Sequence, residues 1–393
     1  MIRLAVFTSH PIQYQAPLFR ALAARAGVEP TVYFGSRHGL DEAHDRDFGA
    51  TFRWDVPLVE GYEHVFLPNR ARHPDVSTFG GIRVPEVARR WRRGGYDAAL
   101  VLGWQSIGHL QAMRAAHAAG IPLLIRGESH LGMAAAGSRL RAALWHPLRE
   151  RIYRAMFARA AGVLAIGTRN AEYYRHVGVP EHRIHSAPYC VQNSHFALDD
   201  ATRAHYRARV RAEWGVPRDA VVFAAVGKLT PKKRPLDVAT AAAAAGVDVL
   251  FVGDGPQRGA LQERAEALGI GGRVRVSGFV NQGALPAWYA AADALVLASE
   301  GSETWGLVVN EAMAAGLPVL VSDAAGCAPD LVRDNGWTFP LGNTGALAER
   351  MAAFAALAPA ARAAMGARSR EIVAEFTVER VAAVVEAAAR RAA

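Results

Sequence analysis

Residues 299–323 read SEGSETWGLVVNEAMAAGLPVLVSD. The stretch grows out of an apolar run, ALVLAS (294–299), passes through a small-residue loop into an apolar helical pattern, and ends in a second apolar run, LPVLVSD (317–323). Strand, loop, helix and strand in that order form the repeating unit of a parallel sheet. Upstream, AVVFAAVGK (220–228), VDVLFVGDG (247–255) and RVRVSGF (273–279) read as strands of the same sheet. The first half repeats the pattern with IRLAVFT (2–8), VEPTVYFG (28–35), YDAALVLGW (96–104), GIPLLIRGE (120–128) and AGVLAIG (161–167). Two such blocks predict an α/β chain with two Rossmann-like, doubly wound domains. The break is expected in the polar stretch VQNSHFALDDA, giving domains 1–198 and 199–376, followed by a helix over 377–393. Residues 36–80 read as irregular.

Composition narrows the classes. At 393 residues, 51% hydrophobic and 21% charged, the chain is globular and too long for one ordinary core. No apolar run approaches the roughly 20 residues that span a bilayer, and the apolar stretch after Arg3 is too short for a signal peptide. Cys190 and Cys327 give neither a disulfide framework nor zinc spacing and read as small buried residues, which fits a cytoplasmic location. The net charge is +9, of which +7 falls in residues 1–200. That asymmetry suggests an anionic partner, nucleic acid or a membrane surface. Neither a helix-turn-helix nor an aromatic RNA-binding signature stands out, so no nucleic-acid partner is expected.

Two loops carry the chemistry. Glu303 and Glu311 bracket seven residues, with Thr304 and Gly306 between them where the helix starts. A helix N-terminus favours phosphate, and ionised carboxylates accept strongly from hydroxyls. AVGKLTPKKRP (225–235) places Lys228 and Lys233 after another strand, with Lys232 and Arg234 beside them. Cations at the carboxyl end of a parallel strand are placed to neutralise a diphosphate. No Asp-x-Asp metal motif appears, so neither a metal nor a cofactor is expected.

VGKLTPKKRP, FVGDGPQRGALQERAEALGI, VSGFVNQGALPAWYAAADALVLAS and SETWGLVVNEAMAAGLPVLVSD resemble the retaining glycosyltransferases of family 4. The resemblance is strong over 220–350 and weak in the first half. It implies the GT-B fold, two domains facing a central cleft, and a nucleotide-diphosphate sugar, UDP- or GDP-linked, as co-substrate. It implies that Glu303 faces the donor sugar, Glu311 binds the ribose, and Lys228 and Lys233 contact the diphosphate. Gly227 and the chain around Thr304, Trp305, Gly306 and Leu307 complete the phosphate site, and Phe279 and Val280 lie by the base. The C-terminal helix crosses back onto the first domain. Lys stands at 228 where the family often has Arg, Trp at 305 where Phe is common, and Asp at 330 where Glu is frequent.

The first half offers acceptor-side candidates. TSHPIQYQ lacks the family's paired glycines and presents His10, Gln13 and Tyr14 after the first strand. In LLIRGESH, Glu128 and His130 compete to face the transferred sugar. Segment 138–160 carries six arginines and one glutamate around Leu140, Leu144, Leu148, Ile152 and Met156, with Pro147 expected to kink or split the helix. It reads either as a helix packing this stripe on the sheet or as a surface for anionic lipid at the inner membrane face, serving a lipid-linked acceptor. The rival readings are a nucleotide-sugar epimerase of the same fold and a non-catalytic basic adaptor for membrane or nucleic acid.

Overall fold

The computed structural model describes residues 1–45, 50–132 and 139–393, with side chains described except at 43–45, 50, 52 and 139–147. Contacts divide the chain into two units: Met1–Ala43 with Val56–Cys190 and Val378–Ala393, and His44–Asp55 with Val191–Thr377.

The first unit is built on β1 (Ile2–Thr8), β2 (Val28–Phe34), β5 (Glu63–Phe66), β6 (Ala98–Leu102), β7 (Leu123–Arg126), β8 (Gly162–Ala165) and β9 (Ile184–Ser186), where β3 (Ala43–Asp45) and β4 (Ala50–Phe52) form a separate small pair. The strands lie parallel in the order β5-β2-β1-β6-β7-β8-β9. All five residues of AALVL in β6 are buried, as a strand covered on both faces requires. Helix Val378–Ala392 packs on helix Ala16–Ala23 and beneath β1 and β6 to β9. There Arg25 pairs with Glu386, and Arg390 reaches Gly27 O at 3.4 Å.

The second unit holds β10 (Val222–Val226), β11 (Asp248–Val252), β12 (Val274–Val276), β13 (Ala294–Leu297), β14 (Val319–Ser322) and β15 (Gly336–Phe339), parallel in the order β12-β11-β10-β13-β14-β15. Each sheet reverses its strand order once, at β1/β6 and at β10/β13. Such reversals open a crevice at the carboxyl edge, where sheets of this kind bind ligands.

Three expectations need correcting. The division falls between Cys190 and Val191 and not at 198/199: the stretch VQNSHFALDDA belongs to the second unit and holds a short helix, Asn193–Phe196, before the next one starts at Asp200. Asp199 accepts from Thr202 N at 2.8 Å and opens helix Asp200–Glu213. Arg207 and Arg211 of that helix then bond Asp293 at 2.7 and 2.8 Å, tying it to the second sheet. Within 36–80, read as irregular, Glu63–Phe66 is the edge strand of the first sheet, and His44–Asp55 belongs to the second unit. The helix expected to kink or split at Pro147 is not split there, being one helix from Arg139 to Ala158. Its stripe does not all face inward. Leu148 and Ile152 are 47% and 56% exposed, while Tyr153, Met156 and Phe157 turn to the core. The side chains of Leu140 and Leu144 lie outside those described.

Candidate functional site

The loops after β10 and β13 meet at the crevice of the second sheet. Gly227 leaves β10 with φ +125°, a conformation open to glycine, and half-buried Lys228 follows. The backbone turns back through Lys232 and Lys233, and Glu300 N donates to Lys232 O at 2.9 Å, joining the two loops. Glu303 is 9% exposed. Lys233 Nζ donates to Glu303 Oε2, and Lys232 Nζ stands 3.9 Å from the same oxygen. Burial alone raises the Glu303 pKa. The two lysines outweigh it and hold the carboxyl below its ordinary value.

Gly306, at φ +103°, turns the chain into helix Leu307–Ala314, and a Cβ there would stand 2.7 Å from Leu297 Cδ2. The loop is fixed from behind, where Gly326 N donates to Glu303 O and Cys327 N to Trp305 O, at 3.0 and 3.1 Å. The Trp305 side chain is core, 2% exposed, and its Nε1 donates to Asn310 Oδ1 at 2.8 Å. Thr304 and Leu307 stay half-buried on either side.

Within the same helix, Glu311 is 6% exposed and accepts from Tyr289 OH at 2.6 Å. Burial pushes its pKa up to about 7, while hydrogen bonds from Tyr289 and Gln282 and the charge of Lys233 pull the other way. Lys233 thus acts on both glutamates. Val280 lies half-buried in the loop after β12, beside Phe279. That loop carries a cover the sequence reading missed. Trp54 meets Phe279 with ring centroids 6.4 Å apart, Asn281 Nδ2 donates to Arg53 O at 2.7 Å, and Gly283 N donates to Asp55 at 3.1 Å. Among the described residues no group of three or more His, Cys, Asp and Glu side chains comes together as a metal cluster.

In the first unit, Glu128 follows β7 and accepts from Tyr189 OH, whose ring meets Tyr14 edge-on with centroids 5.5 Å apart. Burial, then the charge of Glu128, keeps the Tyr14 phenol well above its ordinary value. His130 is 4% exposed and accepts from Gly132 N at 3.1 Å through Nδ1, so Glu128 and His130 occupy different surroundings. His10 shares Nδ1 with Ser9 Oγ at 2.8 Å and abuts His38 edge-on, with centroids 5.2 Å apart. Burial first, then His38 and His109, bring its pKa down to about 3. Gln13 is half-buried at the start of the following turn.

Known proteins resemble this chain. Residues 207–372 match the family described as glycosyl transferases group 1. That region contains Lys228, Lys233, Glu303 and Glu311. The chain is 39% identical over 152 residues to D-inositol 3-phosphate glycosyltransferase of Streptomyces scabiei, a match over 35% of this chain and 33% of that protein. It is 27% identical over 213 residues to alpha-D-kanosaminyltransferase of Streptomyces kanamyceticus, covering 53% of this chain and 54% of that one. The chain therefore spans about a third to a half of these curated relatives' length. Among solved structures, sucrose-phosphate synthase from Thermosynechococcus elongatus superposes with a TM-score of 0.70 at 20% identity, over 100% of this chain and 99% of that one. Anabaena HepE in complex with UDP-glucose superposes at 0.72 and 17% identity, over 98% and 99%. The two-sheet architecture is thus that of GT-B glycosyltransferase structures.

Tyr289 and the Arg53–Asp55 cover joined the site only in three dimensions, as did the approach of Lys232 to Glu303. Tyr289 sits in PAWYAAADALVL, which carries family resemblance, but the pairing of its hydroxyl with Glu311 depends on how two helices pack. Arg53–Asp55 left no signal, since 228 residues separate Arg53 from Asn281.

Proposed function

We propose that the chain is a glycosyltransferase that takes a sugar from a nucleoside-diphosphate donor bound in the second unit. The observation that carries this reading is the Lys233–Glu303 pair beside buried Glu311, at the switch point of a sheet whose sequence matches a glycosyltransferase family. Lys233 and Lys228 meet the diphosphate, the start of helix Leu307–Ala314 adds its partial positive charge, and Glu311 accepts from ribose hydroxyls. A bound diphosphate draws Lys233 from Glu303 and leaves that carboxylate to the donor sugar. Transfer proceeds with retention. The acceptor oxygen bonds to the anomeric carbon as the carbon–oxygen bond to the diphosphate breaks, and the acceptor proton passes to the departing phosphate oxygen. Charge on that leaving group is met by the lysines and the helix, with no cofactor beyond the donor. HepE is described in complex with UDP-glucose, which supports a uridine donor here.

A second contact belongs to this reading. Leu148 and Ile152 are exposed one turn apart, with Arg149, Arg151 and Arg154 exposed around them. That face suits anionic lipid and a lipid-linked acceptor at the inner face of a membrane. Among the described residues no helix is long and apolar enough to cross one.

The test is calorimetry of the chain against UDP, GDP, ADP and their common sugars, repeated with Glu311→Ala. One diphosphate should bind selectively and at least tenfold more weakly to the variant. Silence with every nucleotide would sink the transferase and favour the adaptor. Donor turned over to an isomeric sugar nucleotide without acceptor would favour the epimerase.

A further inference from the structure

Glu311 does not stand alone at the crevice of the second sheet. The Gln282 side chain bonds its carboxyl, so the loop after β12 runs beside it. That loop is held by two other elements. His195 Nε2 donates to Gln282 O at 2.9 Å. The second holder is the end of segment His44–Asp55, which lies early in the sequence yet belongs to the second unit. Asn281 Nδ2 donates to Arg53 O at 2.7 Å, and Asp55 N returns a bond to Asn281 Oδ1 at 3.4 Å. Gly283 N donates to both carboxylate oxygens of Asp55 at 3.1 Å. The approach is close, since a Cβ at Gly283 would stand 2.8 Å from Asp55 Oδ2. Bonds running in both directions fix the register of residues 53–55 on the loop.

Between the two clasping residues stands Trp54. Its ring meets Phe279 at 57° with centroids 6.4 Å apart, and both rings are only half-buried. The clasp uses the backbone of Arg53 and the backbone and carboxylate of Asp55, so its bonds do not need an indole at 54. An indole left half in water keeps apolar surface that a flat ring can cover. The position selects that ring. A ribose whose hydroxyls donate to Glu311 carries its base on the adjoining carbon. The base therefore comes to the residues flanking Glu311, of which the loop after β12 is one set. Every nucleobase has an uncharged π-face, so an aromatic side chain accepts any of them.

We infer that Trp54 stacks on the nucleobase of the donor, and that Asp55 and Asn281 position it for that contact. The inference rests on the donor reading above. It adds to that site a wall from the first half of the chain, outside residues 207–372 that match the glycosyltransferase family. Phe279, tilted against the indole, limits its rotation. Trp54 is thus a binding residue, while Asp55 acts through it.

Calorimetry on the full chain tests it, with UDP, GDP and ADP as base-bearing probes and pyrophosphate as a base-free one. In Trp54→Ala, the diphosphate that binds the unaltered chain should bind about fivefold or more weakly, the lower range for losing one base–aromatic stack. Pyrophosphate should stay within about twofold. Trp54→Phe keeps a ring and should hold nucleotide affinity within about threefold of the unaltered chain. Asp55→Ala changes an exposed residue, leaves the indole in place, and should show the same split between nucleotide and pyrophosphate. Nucleotide affinity unchanged in Trp54→Ala or in Asp55→Ala would overturn the inference. So would equal losses of nucleotide and pyrophosphate, which would reduce Trp54 to a support of the loop. An unaltered chain that binds no nucleotide would strike the donor reading, and this inference with it, so the two failures are separable.

Discussion

The two sheets reverse their strand order in the same way and furnish the two crevices with opposite chemistry. At β10/β13 the furniture is charge: Lys232 and Lys233 converge on Glu303, and Lys233 also acts on Glu311. At β1/β6 it is mostly neutral hydrogen-bonding groups, with one guanidinium and one carboxyl balancing each other. The fold thus supplies a crevice at each switch point, and the loop side chains decide its chemistry.

Three experiments can break or sharpen this contrast. The largest effect is expected from Lys233→Ala, which removes the cation shared by both glutamates. It should lower kcat/KM for donor by about 10²–10³-fold, the loss typical of one charge-stabilising donor. Full turnover in a donor-consumption assay would remove Lys233 from the machinery.

Next is the proton on Glu311. In the folded chain it is held up to about pH 7, whereas the ordinary glutamate value is near 4.5. Folding therefore takes up a proton between those values. Stability falls as pH rises from 4.5 to 7 and stays lowered above. Glu311→Gln, which keeps an acceptor for Tyr289, should raise stability at pH 8 by about 3 kcal/mol, with the gain gone near pH 4. Thermal unfolding across pH checks it. An equal Tm difference at both pH values would mean that the carboxyl carries no burial penalty. The smallest effect is that of salt. Raising ionic strength from about 0.05 to 0.5 M should weaken UDP binding severalfold, because screening acts on charge. An affinity that does not change with salt would erase the contrast.

Legibility followed the same divide. Lys228, Lys233, Glu303 and Glu311 sit in stretches where one loop and one helix start carry the pattern, so residue order alone marked them. The sequence could not show that Lys233 closes on Glu303, since 70 residues separate them and only sheet register brings their loops together. Strands Glu63–Phe66 and Gly336–Phe339 escaped because each lies at a sheet edge and is only partly buried, so neither carries the apolar run that marked buried strands of the same length such as Ala294–Leu297. In the first unit, Glu128 and His130 stood level on sequence. They lie just past the end of β7, where alternation gives no direction. Gln15, Ser106 and His109, which line the β1/β6 crevice, left no motif, because that crevice is assembled from single residues of several loops.

The helix Val378–Ala392 has a consequence in time. It rests on the helix Ala16–Ala23 and under most of the first sheet, yet a ribosome makes it only after the last strand of the second unit has emerged. The unit that begins first therefore finishes last. Throughout synthesis the surface later covered by Val381, Val385 and Ala389 stands open, so a nascent chain holds one completed unit and one still waiting for its closing piece.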